Sequence, residues 1–257
     1  MKLNSLPAAA YLTAIYLFFY LPILVLIIYS FNQAQYSLLW SGFSWHWYQE
    51  LFADSQLWEA AWHSLLLGVS ASTLAVFIGT LAAVNLYRYR FRGRRLLYGL
   101  VFISILSPDI VMGISLLILF NLLALSLGFW SLFFAHVTLC LPFVVVTLFG
   151  RLSSFDKQMF EAAKDLGATD ATILKRLILP LLWPALISAW LLSFTLSLDD
   201  VIISYFVAGP QFQILPLRIY AMARLGITPT INALCTVTFG ITMCFILISQ
   251  FLLRKKP

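Results

Sequence analysis

Charge is what this chain has least of. Only 10% of its 257 residues are Asp, Glu, Lys or Arg, where a soluble domain carries about 25%. With 62% hydrophobic residues, it cannot hide its apolar side chains inside one water-soluble ball. That excludes a cytosolic enzyme and a disordered protein. Glycine (12) and proline (10) are too few for a low-complexity chain. The three cysteines, Cys140, Cys235 and Cys244, lie in apolar runs apart from any histidine. They read as small buried hydrophobes, not as a metal site or disulfide framework. His46, His63 and His136 sit on different segments and form no His-Glu-x-x-His site, which argues against a membrane enzyme. No Gly-Lys pair occurs, so the loop that cradles the phosphates of ATP is missing as well. If ATP drives this protein, hydrolysis occurs on another polypeptide.

Long apolar runs are present instead. A membrane-spanning helix needs about 20 apolar residues, and the sequence predicts six. They run over Ala8–Tyr29, Ser64–Tyr87, two within residues 96–150 with a turn near Leu127-Gly128, Pro184–Phe206 and Ile231–Leu253. The fold class is thus an all-α polytopic membrane protein. Its parts are a first helix with an aromatic-rich outer loop (1–63), a five-helix core (64–253) containing an inner loop at 151–183, and a short basic tail (254–257). Fourteen of the sixteen basic residues fall at the N-terminus, after the second and fourth spans, or in the tail. Arg218 and Arg224 are the exceptions. The positive-inside rule then puts both termini in the cytoplasm. The net charge of +6 is therefore an orientation signal and not a nucleic-acid surface. In the outer loop, Trp40, Trp45, Trp47, Tyr48, Trp58 and Trp62 fit an interfacial aromatic belt. Trp47 is the candidate for stacking on an incoming organic cation.

Three carboxylates, Asp109, Asp199 and Asp200, lie within the spans, and no Lys or Arg lies there to neutralise them. An unpaired acid in the bilayer is costly and usually faces a water-filled path. At ~1.5 Å per residue, Asp109 and Asp199 stand roughly 20–25 Å from the cytoplasmic face, and Pro108 is expected to break the third helix there, exposing backbone carbonyls to the same cavity. Ser193, Ser197 and Asp200 share one helical face, and Thr195 and Asp199 a neighbouring one; the two serines are read with the three acids as residues of the substrate path. One acid of the Asp199-Asp200 pair then faces the path while the other holds a helix or contacts Arg218; phase alone leaves open which. Separated anions beside aromatic rings suit an extended di- or triamine better than an oxyanion or a hard metal ion.

The inner loop predicts two short helices joined at Gly167, which takes a positive φ there. Thr169 or Asp170 caps the second. Ile173, Leu174, Leu177 and Ile178 form an apolar stripe, read as exposed for docking on a partner. Pro180 and Pro184 are expected to break the chain before the fifth span.

Glu161-Ala162-Ala163, then three residues, Gly167, nine residues and Leu177-Ile178-Leu179-Pro180 resemble the EAA motif of permease subunits of bacterial ABC importers. The pattern has Ile where this chain has Leu177. The stretches 87–93, 107–112 and 193–200 are similar to the spermidine/putrescine permeases of that family, and putrescine-specific members share the last of them. The resemblance implies a type I importer permease fold in the bacterial inner membrane. It assigns Glu161, Ala162, Ala163, Asp165, Gly167, Leu177, Leu179 and Pro180 to contact with an ATPase. It also implies a second permease subunit completing a heterodimer, two ATP-binding subunits that use ATP and Mg, and a periplasmic polyamine-binding protein. This chain itself would bind no cofactor. The rival class, a secondary transporter or channel, would move its substrate without ATP.

Overall fold

The computed structural model describes the backbone of residues 6–34, 39–156, 158–226 and 229–254, and their side chains except at 6–8, 225 and 245–254. Apart from one antiparallel bridge between Asn32 and Phe43, the described structure is helical. In chain order come α1 (Leu6–Tyr29), α2 (His46–Ala53), α3 (Ser55–Arg88), α4 (Arg94–Leu106), α5 (Asp109–Leu122), α6 (Phe129–Ser153), α7 (Gln158–Asp165) and α8 (Asp170–Ile173). A π turn (Leu174–Ile178) comes next, then α9 (Leu179–Asp199), α10 (Ile202–Val207), α11 (Leu215–Leu225) and α12 (Pro229–Arg254). The chain divides into two units, residues 1–58 with 218–257 and residues 59–217.

Four helical stretches are long and apolar enough to cross a bilayer: Ala9–Tyr29, Ser55–Arg88, Phe129–Ser153 and Asp170–Asp199. The pair α4 and α5, bent by 113°, has that length and apolar character only when the two helices are taken together. Of the six expected spans, the fifth has its bounds corrected, and the third bends at the proline expected to break it. The third span breaks at Ser107-Pro108, where both residues are extended (ψ 133° and 136°). Proline cannot donate to the helix, and it pushes the residue before it out of the α region. The fifth span stops at Asp199 and resumes as α10, instead of running on to Phe206. α12 (Pro229–Arg254) takes in the sixth expected stretch, Ile231–Leu253, of which the side chains from residue 245 on lie outside the described residues.

The 59–217 unit packs around α6, whose buried residues include Leu132, Ala135, Cys140, Val144, Leu148 and Leu152. Small residues let helices close on it. A Cβ on Gly79 of α3 would lie 2.5 Å from Val144 Cγ1. Gly113 of α5 sits against Ile203 and Phe206 in the same way. In the other unit, α12 packs on α1 and α2.

Candidate functional site

The three acids part company. Asp109 is the first residue of α5 and is exposed, at a helix start that favours negative charge. Asp199 ends α9 and is also exposed. Neither makes an ion pair among the described residues. Asp200 is 9% exposed and is occupied as a cap. Its Oδ1 accepts from the Ile203 amide (3.2 Å), and its Oδ2 from the Ser204 amide (2.8 Å) and hydroxyl (2.7 Å).

Behind Asp200 stands His136 of α6, fully buried. Its Nε2 lies 2.9 Å from Ser204 Oγ, and its Nδ1 lies 2.6 Å from Ser197 Oγ. The Ser204 proton is committed to Asp200, so Ser204 Oγ accepts from His136 Nε2–H. Nδ1 then accepts the Ser197 hydroxyl, and a neutral ring satisfies every member. Ser193, one turn earlier, is buried; its carbonyl accepts from Cys140 Sγ–H at 3.3 Å, and its hydroxyl has no partner among the described residues. Ser193, Ser197 and Asp200 do share a face, but it is the face turned onto α6 and α10. The expectation that this trio lines an open path is corrected: hydroxyls and a carboxylate there find better partners inside the protein. Arg218 is engaged elsewhere. It donates to Gln56 Oε1 at 2.6 Å and lies 3.9 Å from Asp54 Oδ2.

Trp47 is corrected likewise. It is 8% exposed, and its indole N–H donates to the Asn32 carbonyl at 2.7 Å, which makes it an anchor of α2. The open aromatic surface is its neighbour: Phe31 stacks on Phe43 (5.2 Å between centroids) and Tyr48 (5.0 Å), with Trp45 edge-on.

In the segment 158–180, α7 ends before Gly167, whose φ is +78°. Thr169 caps α8, its Oγ1 accepting from the Thr172 amide at 3.3 Å. Glu161, Ala162, Asp165 and Gly167 are exposed, and Leu166 is 88% exposed. Ala163 packs on the core. The predicted docking stripe is corrected: Ile173 and Ile178 are buried in the core, and Leu174 and Leu177 pack against it. Amphipathicity gives a stripe without saying which side it meets. The two prolines do not break the chain. Leu179 and exposed Pro180 open α9, and Pro184 lies within it. A proline ring clashes with the carbonyl four residues back in a regular helix; the wider π turn before Pro180 relieves this.

Two features escaped sequence reading. One is His136, which gave only the weak signal of a lone histidine in an apolar run. The other is the tie from α3 to this segment. Arg88 pairs with Asp170, and the Tyr89 hydroxyl donates to Asp170 Oδ2 at 2.9 Å. The hydrogen bond to Asp170 holds the Tyr89 phenol above its usual pKa. Beside the tie opens a cavity of about 400 Å³, lined by Arg88, Arg90, Arg94, Phe160, Glu161 and Lys164 among others.

Apolar helices interrupted by acids, with a short exposed helix between two of them, fit a membrane transport subunit. The chain belongs to the family described as binding-protein-dependent transport system inner membrane component, whose model matches residues 75–255. It is a multi-pass inner-membrane permease component and not itself an enzyme. Among its relatives, it is 52% identical over 247 residues to the spermidine/putrescine transport system permease protein PotC of Haemophilus influenzae, covering 96% of each chain. It is 42% identical over 231 residues to the putrescine transport system permease protein PotI of Escherichia coli, covering 87% of this chain and 82% of that one. A chain of a bacterial ABC transporter that imports alginate superposes with a TM-score of 0.73 at 17% identity, over 97% of this chain and 95% of that one. That likeness gives the ABC importer permease fold.

Proposed function

We propose that this chain is the permease subunit of an ATP-driven importer of spermidine and putrescine, with Asp109 and Asp199 as the acids that face the passing amine. The observation that carries the charge of the cargo is the pair itself: two exposed carboxylates at breaks in apolar helices, without an ion pair among the described residues. An ammonium group offers each of them a partner, and a flexible polyamine offers two at once. Identity of about half with spermidine/putrescine permeases over almost the whole length supports the same cargo. The 42% identity to a putrescine permease favours, as a second reading, a putrescine-specific system.

In this reading α12 completes a sixth span and both termini are cytoplasmic. The chain forms half of the path, and a second permease subunit forms the rest. Two ATP-binding subunits hold ATP and Mg and dock on the exposed side of α7 and the turn after it, at Glu161, Ala162, Asp165 and Gly167. Leu177, Leu179 and Pro180 carry that movement into α9. A periplasmic binding protein delivers substrate at the outer face. ATP binding shifts the path between two states through contacts that differ between them.

Co-purifying the chain with its partner subunits, rebuilding the importer in liposomes and supplying each loaded binding protein tests this. Labelled spermidine and putrescine should enter only when ATP is present. Entry of neither, or entry through this chain alone without ATP, overturns the reading.

A further inference from the structure

We propose that His136 is the positioning residue of the acid site: it holds the break between α9 and α10 and so aims the Asp199 carboxylate. This rests on the reading of Asp199 as a pathway acid and adds the part that sets its direction.

The break needs a cause. Residues 200–203 are Asp, Val, Ile and Ile, with neither proline nor glycine to stop a helix. Yet Asp200 leaves the α region, at ψ 124°, and a new helix starts at Ile202. One side chain from a third helix spans the gap. His136 binds Ser197 on the near side and Ser204 on the far side, and Ser204 passes the link on to the capping carboxylate of Asp200. Ser197, Ser204 and His136 are all buried, so no water competes for these bonds. A leucine at 136 would strip partners from two buried hydroxyls, which then turn to carbonyls of their own helix. The Asp200 cap alone would then hold the break beside Asp199, without the tie to α6. The buried ring never meets the amine; it acts through Asp199 alone.

The test uses the whole importer in liposomes, with spermidine as probe, and reads amine imported per ATP hydrolysed. His136→Leu should lower that ratio about fivefold, the worth of a net hydrogen bond or so. His136→Gln, whose amide both donates and accepts, should restore most of it. Asp199→Asn should lower it too, and the double variant should be no worse than the worse single, because both act on one carboxylate. A fall in uptake and hydrolysis together with an unchanged ratio, or a strictly additive double variant, overturns the proposal. If His136→Leu does not assemble, His136→Phe, which keeps a ring without donor or acceptor, carries the same comparison. A second readout separates this inference from the reading it rests on. Asp199→Cys, in a chain with its three native cysteines replaced, is labelled with a charged thiol reagent, with and without His136→Leu. A changed labelling rate alongside a silent Asp199→Asn leaves positioning standing and the pathway role fallen. An unchanged rate defeats positioning.

Discussion

Arg88, the last residue of α3, is ion-paired with Asp170, the first residue of α8, across 82 positions of sequence. Tyr89 donates to the same carboxylate, and the Arg88 guanidinium lies 5.5 Å from the Tyr89 ring centre. This tie fastens the segment that carries Glu161 and Gly167 to the end of a spanning helix.

Because Asp170 is 58% exposed, the pair adds little to global stability, under about 1 kcal/mol. Asp170→Ala should therefore leave the unfolding temperature nearly unchanged while amide exchange over 158–178 rises. Tyr89 should titrate lower in that variant, since its raised pKa comes first from the bond to Asp170. The sign is that of a raised folded pKa. The bond's contribution is complete below the phenol's unfolded value and is lost only as pH climbs through the folded one, so neutral pH leaves it intact.

The acids should divide by role. Asp109→Asn and Asp199→Asn should cut polyamine uptake about tenfold, as expected for losing a charge-assisted bond, with the unfolding temperature unchanged. Asp200→Ala should behave otherwise, lowering stability by about 0.5–2 kcal/mol through loss of a cap. Thermal unfolding of the purified complex beside uptake separates the two classes. Loss of uptake without loss of stability in Asp200→Ala would contradict its assignment as a cap.

Gly167 holds a turn at φ +78° with nothing within 4 Å of a built Cβ. A side chain there meets backbone strain and no clash. Gly167→Val should cost about 1–2 kcal/mol locally and reduce co-purification of the ATPase subunit. Full recovery of the ATPase would show that the turn's shape does not matter to docking.

Gly79 is different, because Val144 stands in the way. Gly79→Ala should destabilise by about 1–3 kcal/mol through overpacking. Adding Val144→Ala should return part of that loss, although Val144→Ala alone destabilises. Unfolding temperatures of the two singles and the double measure it.

Legibility in the sequence depends on the reach of each signal. Apolar runs and the Pro108 break are local, so the helices and the bend could be read from neighbouring residues. Gly167 and Thr169 are local too, and their φ and cap match expectation. The direction a face looks is not local. Ser197 and Asp200 could be placed together by phase, but their partner His136 lies 61 residues from Ser197, on another helix. Ile173 and Ile178 repeat at helical spacing whether they meet a partner protein or their own core. Trp47 is one of several tryptophans in its loop, and only the Asn32 carbonyl distinguishes it.

The π turn at Leu174–Ile178 fixes more than its own five residues. Each residue added to or removed from a helix turns the chain beyond it by about 100°. Were that turn to lose one residue, α9 would rotate on its axis, and Leu196 or Leu198 would meet His136 where Ser197 now does. A register chosen beside Pro180 thus decides, some twenty residues downstream, whether a hydroxyl or a hydrocarbon meets the imidazole.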